Sequence, residues 1–81
     1  MSDFKRAIPV KGHGRIIFEF IKINKVEHAD YFITLNVKKE NISFRMRKRS
    51  ENWKIVDAPK VPDWIMDIES QLSDILVKKQ D

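Results

Sequence analysis

"YFITLNVKKENISFRMRKRSENWKI", residues 31–55, decides the fold. Apolar and polar side chains alternate through most of it, interrupted by polar residues around Glu40-Asn41 and Ser50–Asn52. Successive side chains of an extended chain point to opposite faces, so a period of two marks strand. Three runs separated by short polar breaks predict an antiparallel meander over 31–39, 42–50 and 53–58. A two-residue loop at Glu40-Asn41 pairs Lys39 with Ile42, Val37 with Phe44 and Leu35 with Met46. A second loop at Glu51-Asn52 pairs Ser50 with Trp53 and Lys48 with Ile55. Tyr31, Ile33, Leu35, Val37, Phe44, Met46, Trp53 and Ile55 then share one face, as a correct register requires. Neither loop is of the favoured Asn-Gly type, so a one-residue bulge fits either.

Working outward, "RIIFEFIKIN" at 15–24 is rich in β-branched and aromatic residues and reads as another strand. "KGHG" at 11–14 is a turn and "KVEHAD" at 25–30 a connection. "FKRAIPV" at 4–10 reads as a short first strand; Pro9 has no N–H to donate, so this strand belongs at a sheet edge or does not form. After "APKVP" at 58–62 the period becomes helical. Ile65, Ile68, Leu72, Ile75 and Leu76 recur at three- and four-residue steps and form one stripe. Pro62 suits a first turn. Asp63 and Asp67 near the start, with Lys78 and Lys79 at the end, suit the helix dipole. The expectation is an α+β domain: an antiparallel sheet of four strands, five with 4–10, and one C-terminal helix packed on the apolar face.

The bulk properties agree with a single small domain over 1–81, free-standing or part of a longer protein. The chain is 42% hydrophobic, with two Trp and five Phe, enough for a core. A domain of this size buries only about 60% of the surface its unfolded chain exposes, so a partner contributes much to stability. With no Cys, disulfides, thiolate nucleophiles and cysteine zinc sites are excluded. The N-terminus carries no signal-peptide run, and no segment has the roughly 20 apolar residues of a membrane span. The reading is a cytoplasmic protein with a mild basic excess, +4 in formal charge.

"FRMRKRSENWKIVDAP", 44–59, resembles the last hairpin of cystatin-like and NTF2-like domains: an alternating strand, a polar turn, then Trp53-Lys54-Ile55 followed by an acid, Asp57. The resemblance implies a curved sheet that binds a small ligand, a protein or a second copy. NTF2-like domains begin with helices that this chain lacks, and this chain adds a helix after the hairpin. The order of strands followed by a helix is also similar to PUR and Whirly nucleic-acid-binding modules.

Two surfaces follow from the pattern. The face away from the helix carries Phe32, Thr34 and Lys38 on one strand, Arg45, Arg47 and Arg49 on the next, and Lys54 on the last. Phe32 lies opposite Arg49 and Thr34 opposite Arg47 in the expected register. Guanidinium groups fork onto phosphates and rings stack on bases, so this is a candidate face for single-stranded nucleic acid. The competing reading is a solvated face whose charges keep sheets apart. The strand at 15–24 is apolar on both sides, with Ile16, Phe18 and Phe20 on one and Ile17, Ile21 and Ile23 on the other. Something must cover its second side: the N-terminal segment, a bound ligand, a protein partner or, as the favoured reading, a second copy. Phe18, Phe20, Ile17 and Ile21 are therefore the candidate residues for homodimer formation.

Catalytic and cofactor signatures are absent. Glu27, His28, Asp30 and His13 are metal-ligand types, but no ligand spacing connects them. No Gly-rich phosphate loop opens a helix, and no His is placed beside a Ser or Thr as an activating base. Asp57 reads as serving the turn or the helix start. A membrane-surface role for the helix is opposed by Asp63, Asp67, Glu69 and Asp74 on its polar face. The protein is read as non-enzymatic, with no metal and no cofactor.

Overall fold

The computed structural model describes residues 3–24, 29–56 and 61–79. Five strands run as a meander: β1 (Phe4–Val10), β2 (Gly14–Asn24), β3 (Ala29–Val37), β4 (Glu40–Arg49) and β5 (Asn52–Ile55). Every neighbouring pair is antiparallel and the spatial order is β1-β2-β3-β4-β5. Two short helices follow, α1 (Asp63–Met66) and α2 (Glu69–Lys79). The architecture is α+β: a curled five-stranded antiparallel sheet with its helices near the C-terminus.

The apolar alternation builds one core. Ile8, Val10, Ile16, Phe18, Phe20, Tyr31, Ile33, Leu35, Phe44, Met46, Trp53 and Ile55 are buried in a single cluster with Ile65, Ile68, Leu72 and Leu76 of the helical segment. Aromatic rings run through it. Phe4 stacks on Phe20 with centroids 4.6 Å apart, and Tyr31 meets Trp53 edge-on at 5.2 Å. Such pairs add about 0.5–1.5 kcal/mol beyond the area they bury.

Both hairpin registers differ from expectation by an even number of residues. The first turn is Lys38-Lys39, with φ of 51° and 68°, so Val37 pairs with Glu40, Leu35 with Ile42, Ile33 with Phe44 and Tyr31 with Met46. Two consecutive positive φ values are the mark of the primed hairpin turn, whose twist matches the strands it joins. The second turn is Ser50-Glu51, with Ser50 at φ 59°; Arg49 pairs with Asn52 and Met46 with Ile55. An even slip changes which residues are partners but moves none to the other face. β3 also begins two residues earlier than expected and takes in Ala29 and Asp30.

The single helix of the sequence reading is two. Ile68 N–H donates to the Ile65 carbonyl, an i→i−3 bond at 3.1 Å that tightens the chain between α1 and α2. The apolar stripe passes through this hitch, with Ile75 only half-buried at its margin.

α2 also settles an edge. β5 is the last strand, so its outward N–H groups have no ladder partner. Trp53 N–H donates to Ser73 Oγ and Ile55 N–H to Glu69 Oε2, both at 2.9 Å. Ser73 and Glu69 stand four residues apart on one helical face, which is the spacing needed to meet alternate residues of a strand.

Candidate functional site

The sheet face that does not join the core is the candidate surface. Its geometry follows from the registers. One cross-strand row reads Ile21, Phe32, Arg45. The next reads Ile23, Asp30, Arg47, Lys54. On the other side of Phe32 lies Lys5, Glu19, Thr34, Ser43. Apolar side chains therefore concentrate on β2 with Phe32 of β3, and basic ones on β4 and β5. Ile17 is 56% exposed, the one exposed large apolar side chain among the described residues. Ile21, Ile23 and Phe32 are half-buried. A shallow depression of about 460 Å³ lies over this region, lined by Lys5, Ile17, Glu19, Phe32, Thr34, Asn36, Asn41 and Ser43. Asn36 Nδ2 donates to Asn41 Oδ1 across it at 2.9 Å.

Several expected placements change. Phe32 faces Arg45 rather than Arg49, and Thr34 faces Ser43 rather than Arg47, because the β3–β4 turn comes earlier. Lys38 is not on the face; it occupies the turn with positive φ. Phe18 and Phe20 are fully buried in the core and are removed from any association surface, whereas Ile17 and Ile21 remain on the outer side of β2. Arg49 and Lys54 are exposed, and Arg45 and Arg47 are half-buried.

The feature missed by the sequence reading is Asp30. Its side chain is fully buried on this face, and Arg47 of β4 forks onto it: Nε to Oδ1 at 3.0 Å and Nη2 to Oδ2 at 3.3 Å. The hydrogen bond to Asp30 is the main cause raising the Arg47 pKa above its ordinary value. A bidentate guanidinium–carboxylate pair is the strong form of this contact. The signal lay in "EHAD": an acid in register with an arginine of the neighbouring strand, visible only once β3 starts at Ala29.

Glu27 and His28 of that cluster, and Asp57, lie outside the described residues. Asp30 is committed to Arg47, and His13 stacks on Trp64 of α1 with centroids 4.3 Å apart. Among the described residues no group of three His, Asp or Glu side chains forms a metal-ligand set. No described helix is long and apolar enough to cross a membrane.

No family model, curated protein or solved structure matches the chain.

Proposed function

We propose that the chain is a non-enzymatic binding module that associates with protein through the outer face of its sheet. Exposure of Ile17 amid half-buried Ile21, Ile23 and Phe32 is the observation that carries this reading. Apolar side chains on an otherwise polar face are characteristic of interaction surfaces. The sheet edges favour the face as well. α2 occupies the outward donors of β5 through Ser73 and Glu69. β1 carries Pro9, which has no donor, together with Lys5 and Arg6, the residue types that blunt edges against strand addition. Self-association is the simplest instance: any dimer that sedimentation detects at micromolar concentration should be dissociated by Ile17→Glu while the circular dichroism spectrum stays unchanged. A wild type that neither self-associates nor binds protein through this face opposes the reading.

The juxtaposition of Phe32 and Arg45, with Arg49 and Lys54 exposed beside them, supports a second reading: single-stranded nucleic acid stacked on Phe32. Titration of a labelled oligonucleotide against salt tests it. Phosphate contacts give a slope of about −0.7 in log K per log salt for each phosphate neutralised on a single strand.

A further inference from the structure

The outer face is not only apolar in part; it is lopsided in charge, and that narrows its partner. Lys5, Arg15, Arg45, Arg47, Arg49 and Lys54 lie on it against Glu19, the buried Asp30 and, just before β1, Asp3, whose carboxylate accepts from Lys22 N–H. Asp30 is already neutralised by Arg47, and Glu19 has Lys5 directly across the β1–β2 ladder. Two such faces brought together would set basic residues against basic residues, which costs association free energy in a desolvated contact. The helical side of a second copy offers carboxylates, since Asp63, Asp67 and Asp74 are exposed. Its apolar side chains are either spent in the core, as Ile65, Ile68, Leu72 and Leu76 are, or half-buried against it, as Trp64, Met66, Ile75 and Val77 are, so none matches the exposure of Ile17. Arg6 and Lys48 at the margin of that side weaken its negative charge further.

Resting on the reading of this face as a protein-binding surface, we infer that its partner is an acidic amphipathic helix, with apolar side chains on Ile17, Ile21 and Phe32 and carboxylates on Arg45, Arg49 and Lys54. The dimensions fit. β2 and β4 are two strand spacings apart, about 10 Å, and a helix with its side chains is about 10–12 Å across. A helix laid along β3 therefore touches Ile21 on one flank and Arg45 on the other, with Ile17 toward one end, Arg49 toward the opposite end, and Lys54 one strand further out, within reach of a long acidic side chain. Ile17 and Ile21 are four residues apart on a strand, about 13 Å, close to the roughly 12 Å between helix positions i and i+8. The depression beside Phe32 receives the apolar side chain between them. This is the helix-in-groove mode, with a ring of basic side chains selecting against neutral or basic helices.

The test is a 1H–15N correlation titration of the full chain with three probes at low and high salt. They are a blocked 14-residue peptide with leucines at i, i+3, i+4, i+7 and i+11 flanked by glutamates, its lysine-for-glutamate counterpart, and oligo-deoxythymidylate. The acidic peptide should perturb Ile17, Ile21, Phe32 and Arg45, and the lysine peptide should not. Ile17→Glu should weaken it about tenfold or more, as loss of an apolar anchor does, with Ile17→Ser as a second variant free of added charge. The double change Arg49→Glu and Lys54→Glu should weaken it similarly, and raised salt should weaken the wild type. Equal binding of both peptides, or binding of the oligonucleotide alone, overturns the inference. A wild-type dimer dissociated by Ile17→Glu, with no peptide bound, overturns the acidic helix but keeps the face as a protein-binding surface. A monomer that binds no probe removes both.

Discussion

Arg47 holds the fully buried carboxylate of Asp30 with two parallel hydrogen bonds, of 3.0 and 3.3 Å, on the sheet face opposite the core. One member of the arginine row is thus structural, and Arg49 two residues on is exposed and free to vary. Removing a partner from a buried charge is far more damaging than trimming a solvated one. Arg47→Ser should therefore lower the melting temperature by several degrees more than Arg49→Ser, which should stay within about 0.5 kcal/mol of wild type. Adding Asp30→Asn to Arg47→Ser should recover part of the loss, since the buried charge goes with it. Equal melting temperatures for the two arginine variants would show that Asp30 is held by other groups.

The pH behaviour of that pair follows from the direction of the Arg47 shift. Its folded pKa is raised above the ordinary arginine value, chiefly by the hydrogen bond to Asp30. A raised pKa gives stability that is fully present below the unfolded value and lost only as pH climbs through the folded one. Both values lie beyond the working range of a protein, so the cationic side of the pair should add no slope to stability between about pH 6 and 10. Arg47→Lys changes this twice. It replaces the fork with a point charge, and it brings the loss down toward the lysine range near pH 10.4. Urea midpoints measured at pH 7, 9 and 10.5 should show the deficit of Arg47→Lys relative to wild type widening as pH rises.

The same pair shows where reading a sequence stops. Period-two alternation placed Tyr31, Ile33, Phe44, Met46, Trp53 and Ile55 on one face, and they are there. The outer face was legible for the same reason. Partners within it were not. Glu40-Asn41 carries the better turn chemistry, yet the chain turns at Lys38-Lys39, where no glycine or asparagine advertises the positive φ. The β4 partners of Phe32 and Thr34 changed with it and Lys38 left the outer face for the turn, while no residue moved to the opposite face. The break between α1 and α2 was invisible because Ile65, Ile68 and Leu72 keep helical spacing across it. β2 read as apolar on both sides, and nothing in its residues says that Ile16, Phe18 and Phe20 face the core while Ile17 stays exposed.

α2 closes the β5 edge through two side chains, and each should be measurable. Ser73 is buried and its Oγ accepts from Trp53 N–H. Ser73→Ala strands that donor, at a cost of about 1–3 kcal/mol, less the few tenths that alanine adds to helix propensity. Glu69→Gln keeps an acceptor for Ile55 N–H and should be milder than Glu69→Ala. The Lys54–Glu69 contact, at 4.0 Å with Lys54 largely exposed, adds little of its own. Hydrogen exchange at Trp53 and Ile55 is the direct readout: Ser73→Ala should speed the first selectively, and Glu69→Ala the second.

Trp53 is the largest fully buried side chain and meets Tyr31 edge-on beneath the helices. Trp53→Ala removes its packing and opens a cavity, at a cost of about 3–5 kcal/mol. A domain of this length holds roughly 4–12 kcal/mol in total. The variant should be marginal or unfolded at 25 °C, and calorimetry should show a small transition or none. Trp53→Phe retains a ring and discards the indole N–H, which has no hydrogen-bond partner among the described residues. It should be much the milder change. A variant Trp53→Ala that melts like wild type would place the tryptophan outside the core.

The Lys38-Lys39 turn offers the one place where stability should rise. Both residues sit at positive φ, 51° and 68°, where most side chains are strained, asparagine less so and glycine not at all. Both are exposed, so exchanging them disturbs no packing. The double change Lys38→Asn and Lys39→Gly installs the residue pair that the primed two-residue turn favours and should gain about 1 kcal/mol. For a domain of this size that is about 4–8 °C in melting temperature. The effect is specific to register. A turn at Glu40-Asn41 would leave Lys38 and Lys39 in a strand, where asparagine and glycine both weaken pairing and the same double change would destabilise. The sign of the shift in a thermal melt therefore distinguishes the two hairpins, and with them the pairings of Phe32 with Arg45 and of Asp30 with Arg47.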